Sequence, residues 1–185
     1  MEDTRLRIAE AAVELHGTLG PARTTISAVA ARAGVQRHTV YRHYPTESEL
    51  YAACSGLFGR RHPFPDIDAW AAIENPRERL GIGLDAIYRY YEGTAQIWTL
   101  VLRDREVVDA VESTLTPFAE QLDQAVKVLS SGWGARGGHR RLLSATVRHA
   151  TDLATWRSLA GEGGVSRTQA VELMSALVES AAGRS

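Results

Sequence analysis

Residues 26–44 hold two short helical patterns that meet at a single glycine, and no other feature limits the fold as tightly. Thr24 and Thr25 can cap a helix whose apolar Ile26, Val29 and Ala30 face one way until Gly34, a position suited to positive φ. A second helix then starts almost at once, runs from about Gln36 to His43 and stops near Pro45, because a proline pushes its predecessor out of the α region. So short a turn fixes the crossing angle. Ala30 is small where the helices approach, and Val29, Val35 and Val40 fill the angle between them, which makes the segment a helix-turn-helix. Its outward face carries Gln36, Arg37, His38, Thr39, Tyr41, Arg42 and His43, all donors or aromatics and none a carboxylate. A second helix of this kind can lie in the major groove of a duplex, about 12 Å wide, with its first turns against the base edges.

Charge placement agrees. The net charge is only -1, but residues 1–45 carry six arginines against four carboxylates, while 46–185 carry fifteen basic against eighteen acidic residues. Between Glu14 and Glu47 there is no Asp or Glu, yet four arginines and His16, His38 and His43 fall there. Such a stretch approaches a polyanion without self-repulsion.

The rest of the 185 residues reads as helix punctuated by Gly and Pro, without sustained two-residue alternation, so the expected class is all-α. A first helix is expected over about Thr4–Thr18. Thr46 and Glu49 form a capping box that opens a fourth helix running to about Gly59, after which His62-Pro63-Phe64-Pro65 makes a stiff connector. Further helices are expected at about 76–92, 94–103, 105–130, 138–161 and 167–182, with Pro117 kinking or dividing the third and Ser166 with Gln169 capping the last. The DNA-reading module should end at residue 45, leaving 46–185 as a second helical domain. Apolar residues at 44% and charged at 23% fit an ordinary packed protein, and the single Cys54 fits a buried thiol and excludes cysteine-clustered metal sites. No apolar run reaches the ~18 residues of a membrane span, and the first residues lack a secretory signal pattern, so a cytoplasmic location without membrane attachment is expected.

Arg7-Ile8-Ala9-Glu10-Ala11-Ala12-Val13-Glu14-Leu15, Thr24-Thr25-Ile26 and, above all, Ala30 through Pro45 resemble the tetracycline-repressor (TetR) family of bacterial transcriptional regulators. The resemblance is specific over residues 5–50 and looser beyond. It implies that Thr39 and Tyr41 donate to phosphate oxygens, that Gln36, Arg37, His38 and Arg42 face bases, and that Tyr44 packs the recognition helix on the core. Thr25, Gln36, Arg37, His38, Thr39, Tyr41, Arg42 and His43 form the expected DNA-binding set. Two positions depart from the pattern: Glu47 stands where the family usually has a phosphate-binding lysine, and His38 replaces a residue that is usually small.

Some 140 residues remain for other work. Tyr88, Tyr90, Tyr91, Trp98, Phe118, Trp133 and Trp156 concentrate there, with Gly81 and Gly83 opening space beside the tyrosines. Tyr88, Tyr91, Trp98 and Phe118, with Thr146 and His149 as polar groups, are the expected effector-binding residues. Helix 138–161 presents Leu143, Val147, Ala150 and Ala154 on one face, and the last helix carries a stripe that includes Leu173, Met174, Leu177 and Val178. Two such helices from each of two chains would form a four-helix homodimer interface, which the Thr155–Ala160 segment, similar to the family's dimer-forming end, also implies.

No nucleophile-base pair, metal cluster or phosphate loop has a recognisable spacing, so no catalytic residue, metal or cofactor is expected and an enzyme is disfavoured. The expected function is a homodimeric repressor that binds palindromic operator duplex DNA and is released by a small hydrophobic or amphipathic effector. The alternative is a helical adaptor or small-molecule-binding protein whose DNA affinity is weakened by Glu47.

Overall fold

The computed structural model describes residues 2–183, and among them it contains helices and no strand. The helices are α1 (Glu2–Thr18), α2 (Ile26–Ala33), α3 (Arg37–His43), α4 (Glu47–Arg61), α5 (Ile67–Ala71), α6 (Pro76–Asp104), α7 (Glu112–Leu129), α8 (Gly138–Ala150), α9 (Leu153–Trp156) and α10 (Arg167–Ala181). By internal contact the chain forms two units: residues up to Pro63 with Thr94–Phe118, and Phe64–Gly93 with residues from Ala119 onward.

In the first unit, α1 packs against both α2 and α4. Ile8, Ala11 and Ala12 of α1 meet Val29, Ala30 and Ala33 of α2 and Leu50 and Cys54 of α4 in one core, where the alanines permit close approach of the helices. Gly34 closes α2 in the left-handed conformation at φ 66°. Its N–H donates to the Ala31 carbonyl at 3.2 Å and the Val35 N–H to the Ala30 carbonyl at 2.9 Å, the paired bonds of a glycine-terminated helix. A Cβ at Gly34 would meet no atom within 4 Å, so backbone conformation and not crowding demands glycine here.

In the second unit, α8 packs against α10. Tyr88 and Tyr91, both fully buried, donate from their hydroxyls to the Ala150 and Thr151 carbonyls at 2.9 and 2.8 Å, tying α6 to the end of α8. Burial pushes both phenols above their ordinary range. The Ser166–Gln169 capping box is complete, whereas at Thr46 the hydroxyl accepts from the Glu49 N–H at 3.2 Å.

Several boundaries differ from the sequence expectation. α6 runs unbroken through Gly93 to Asp104, where two helices were expected. Residues 105–111 form turns and a short 3-10 segment, in which the Val107 and Val108 N–H groups both donate to the Asp104 carbonyl at 3.1 Å. Pro117 sits inside α7 without dividing it. The expected helix 138–161 is interrupted at Thr151, and Asp152 caps a new turn by accepting from the Ala154 N–H at 2.7 Å. Arg148, in the last turn of α8, pairs with Asp123 at 2.7 Å. α5 was not anticipated; Asp66 caps it and Trp70 buries it.

Candidate nucleic-acid interface

Val40 is the one fully buried residue of α3, and around it the helix turns its polar side outward. Gln36, Arg37, His38, Tyr41 and Arg42 are exposed, and Thr39 and His43 are half-buried. Gln36 occupies the cap position but makes no side-chain cap bond, which leaves its amide and the first N–H groups of α3 unengaged by a cap. The Arg37 guanidinium lies 5.9 Å from the centre of the Tyr41 ring and donates to its hydroxyl at 3.5 Å, so these two side chains share one surface.

The helix is held from behind. Tyr44 is buried, donates to the Arg5 carbonyl at 3.0 Å and has the Arg5 guanidinium 5.2 Å above its ring. Arg7 donates to the Ala33 carbonyl at 3.0 Å, closing the end of α2 against α1. Thr25 is exposed and caps α2, accepting from the Ala28 N–H at 3.1 Å; its own O–H proton remains available to an outside acceptor.

Cations around this surface are not equivalent. Arg32 is engaged by Glu14 at 2.5 Å, a contact that raises its pKa chiefly through the side-chain hydrogen bond. Arg37 and Arg42 are exposed and stand in no ion pair among the described residues, whereas the charge of Arg23 acts on the Asp104 carboxylate. Glu47 is exposed on the first turn of α4, suited to the helix dipole and adverse to phosphate.

The expected effector residues fall into separate groups. Trp98 and Phe118 stack in the first unit with ring centres 4.0 Å apart, and Trp98 borders a cavity of only about 20 Å³, room for about one water. Tyr88 and Tyr91 lie in the core of the second unit, with Tyr91 6.0 Å from the Trp156 ring. Thr146 spends its hydroxyl on the Leu142 carbonyl at 2.8 Å, and His149 is exposed, 3.3 Å from the Thr155 hydroxyl. Gly83 does not open space: a Cβ there would come within 2.6 Å of Leu129.

The residues expected to face a twin subunit also divide. Leu143, Val147, Ala150, Met174 and Val178 are buried in their own unit. Ala154, Leu173 and Leu177 are exposed. The outward apolar residues on the α8–α10 pair are Leu142, Leu173 and Leu177.

Sequence reading missed the contacts that join distant parts of the first unit. Asp104 accepts from the Ala22 N–H at 2.9 Å and Arg103 donates to the Leu19 carbonyl at 2.9 Å, partners more than eighty residues apart for which no local pattern exists.

Residues 8–54 match the family model described as bacterial regulatory proteins, tetR family. A comparison with curated proteins finds no significant match. In fold, the chain is similar to a TetR-like transcriptional regulator from Rhodococcus sp. RHA1, at TM-score 0.67 and 22% identity over 98% of this chain and 97% of that one. It is also similar to NalD of Pseudomonas aeruginosa, the secondary repressor of the MexAB-OprM multidrug efflux pump, at TM-score 0.64 and 18% identity over 97% and 95%. A third similar structure is the TetR family transcriptional regulator PfmR of Thermus thermophilus, at TM-score 0.64 and 17% identity over 97% and 95%. Residues 8–54 thus match the DNA-binding domain of the tetR family, and the chain along its length has the fold of these regulators.

Proposed function

We propose that the chain is a homodimeric transcriptional repressor in which residues 1–45 read duplex DNA and residues 46–185 bind an effector and a twin subunit. The observation that carries this reading is the exposed face of α3, on which Gln36, Arg37, His38, Tyr41 and Arg42 stand without a carboxylate. Thr25, Thr39 and His43 border that face as contacts to the backbone. A two-fold dimer would set two recognition helices into successive major grooves, about 34–36 Å apart, and its operator would be palindromic.

Leu142, Leu173 and Leu177 supply an apolar surface for the twin subunit, at 54%, 50% and 44% exposure. For the effector, the Tyr88–Tyr91–Trp156 cluster is the favoured location. The Trp156 indole N–H is buried there without an acceptor among the described residues, an energetic cost that an accepting ligand would relieve. The effector must favour the state that does not bind operator, since equal affinity for both states shifts nothing. Such a protein works in the cytoplasm, where its DNA is.

Selection from a random-sequence duplex library tests this. Recovery of an inverted repeat with half-sites about one helical turn apart, bound by a dimer, supports the reading. Recovery of no enriched sequence removes it and favours the adaptor alternative, for which Glu47 is the specific observation.

A further inference from the structure

A cleft of about 370 Å³, within the size range of small-molecule sites, opens in the first unit between the starts of α2 and α4 and the segment 107–110. Val29, Leu50 and Tyr51 give it an apolar wall, and Glu47 and Asp109 bring two carboxylates to it. Neither Lys nor Arg lines it. Both carboxylates are exposed, and among the described residues neither has a cation paired with it. His16, also on the wall, is kept neutral at pH 7 because burial lowers its pKa to about 4. The cleft thus combines two carboxylates that have no paired cation with apolar surface.

A bare metal ion does not suit this lining. Among the described residues no three His, Cys, Asp or Glu side chains cluster to hold one, and half of the wall would offer it nothing. We propose that the cleft binds a small amphipathic ammonium, its charged head at Glu47 and Asp109 and its apolar body on Val29, Leu50 and Tyr51. This gives the acidic residue at position 47 a purpose that a phosphate contact does not. Thr25 stands on the same wall, so occupancy and duplex binding are coupled, each altering the other by one common factor. That coupling rests on the DNA-reading role proposed above; binding of the ammonium does not.

The test titrates 2-phenylethylamine, and separately its neutral isostere 2-phenylethanol, into the full chain without DNA and follows backbone amide shifts. The expected result is saturable shifts confined to residues 16, 24–29, 47–51 and 107–110, with the amine binding about tenfold tighter than the alcohol. In Glu47→Gln with Asp109→Asn, at two exposed positions that leave the core intact, the amine loses that advantage while the alcohol is unaffected. Equal affinities for amine and alcohol in the unaltered chain, shifts centred elsewhere, or an advantage that survives the double substitution would each overturn the site. A duplex titration with and without saturating amine then tests the coupling alone: changed duplex affinity supports it, and unchanged affinity in a chain that binds the amine removes the coupling while leaving the site.

Discussion

Asp104, the last residue of α6, accepts a hydrogen bond at 2.9 Å from the backbone N–H of Ala22, in the turn that leads from α1 into Thr25. Arg103 completes the latch, donating to Asp104 at 2.7 and 3.0 Å and to the Leu19 carbonyl at 2.9 Å. The turn is further braced by Thr24, whose hydroxyl donates to the Gly20 carbonyl at 2.8 Å. The end of α6 therefore sets the geometry from which the cap of α2 starts.

Asp104→Asn should lower unfolding stability by about 2 kcal/mol at pH 7, the scale of a lost charged hydrogen bond. The Arg103 hydrogen bond, with the Ala22 N–H, holds this carboxyl below the usual range. A depressed carboxylate contributes stability above its unfolded pKa and loses it as pH falls through the folded one. Urea unfolding at pH 7 and pH 3 should show the variant and the parent converging in acid.

His16 gives a second, separate pH dependence. Its ring lies 5.3 Å from that of Tyr51 and its Nδ1 3.5 Å from Cys54 Sγ; burial lowers its pKa to about 4, against a smaller opposing pull from Asp104. The unfolded chain takes up this proton near pH 6.5 and the folded chain does not, so stability falls as pH drops from about 6.5 toward 4. The loss between pH 7 and 5 should be about 2 kcal/mol, and His16→Gln should flatten it, as read by thermal or urea unfolding across that window. Cys54 behaves oppositely in reactivity: burial pushes its thiol up to about 12, so alkylation by iodoacetamide should be slow until the chain unfolds.

Leu173 and Leu177 separate oligomerisation from stability. Leu173→Glu with Leu177→Glu should convert the proposed dimer to monomers in sedimentation while leaving helical content unchanged. Leu143→Ala, at a side chain 2% exposed, should instead cost about 2–5 kcal/mol of stability, with assembly affected only through folding.

How much of this was legible depended on how local each cause was. The α2–α3 pair followed from sequence because Thr25, Gly34, Val40 and Pro45 each act within a few residues of their own position. The break at Thr151 was missed because Asp152 offers two local roles, ion pair to Arg148 or cap to Ala154, and packing decides between them. Which stripe of α8 enters the chain's own core was illegible for a related reason: Leu142 and Leu143 are adjacent apolar residues, and periodicity does not tell which of the two turns inward. The Asp104–Ala22 latch and the cleft at Glu47 join segments far apart in the chain and leave no local trace.

Glu47→Lys should tighten duplex binding and steepen its salt dependence by about one unit in the log–log slope, by restoring a cation at the start of α4. Fluorescence anisotropy across a salt series reads this directly. The same substitution should abolish any preference of the cleft for 2-phenylethylamine.

The most direct measurement titrates a labelled duplex of about 30 base pairs with the parent chain, Arg37→Ala and Arg42→Ala over a range of salt concentrations. Binding at low ionic strength that weakens with salt, with a slope shallower by about one in each variant at a phosphate, or weaker affinity at unchanged slope where the arginine reads a base, is the predicted result. A parent chain that ignores duplex DNA at low salt, or two variants indistinguishable from it in both affinity and slope, would contradict the assignment of α3 as the reading helix.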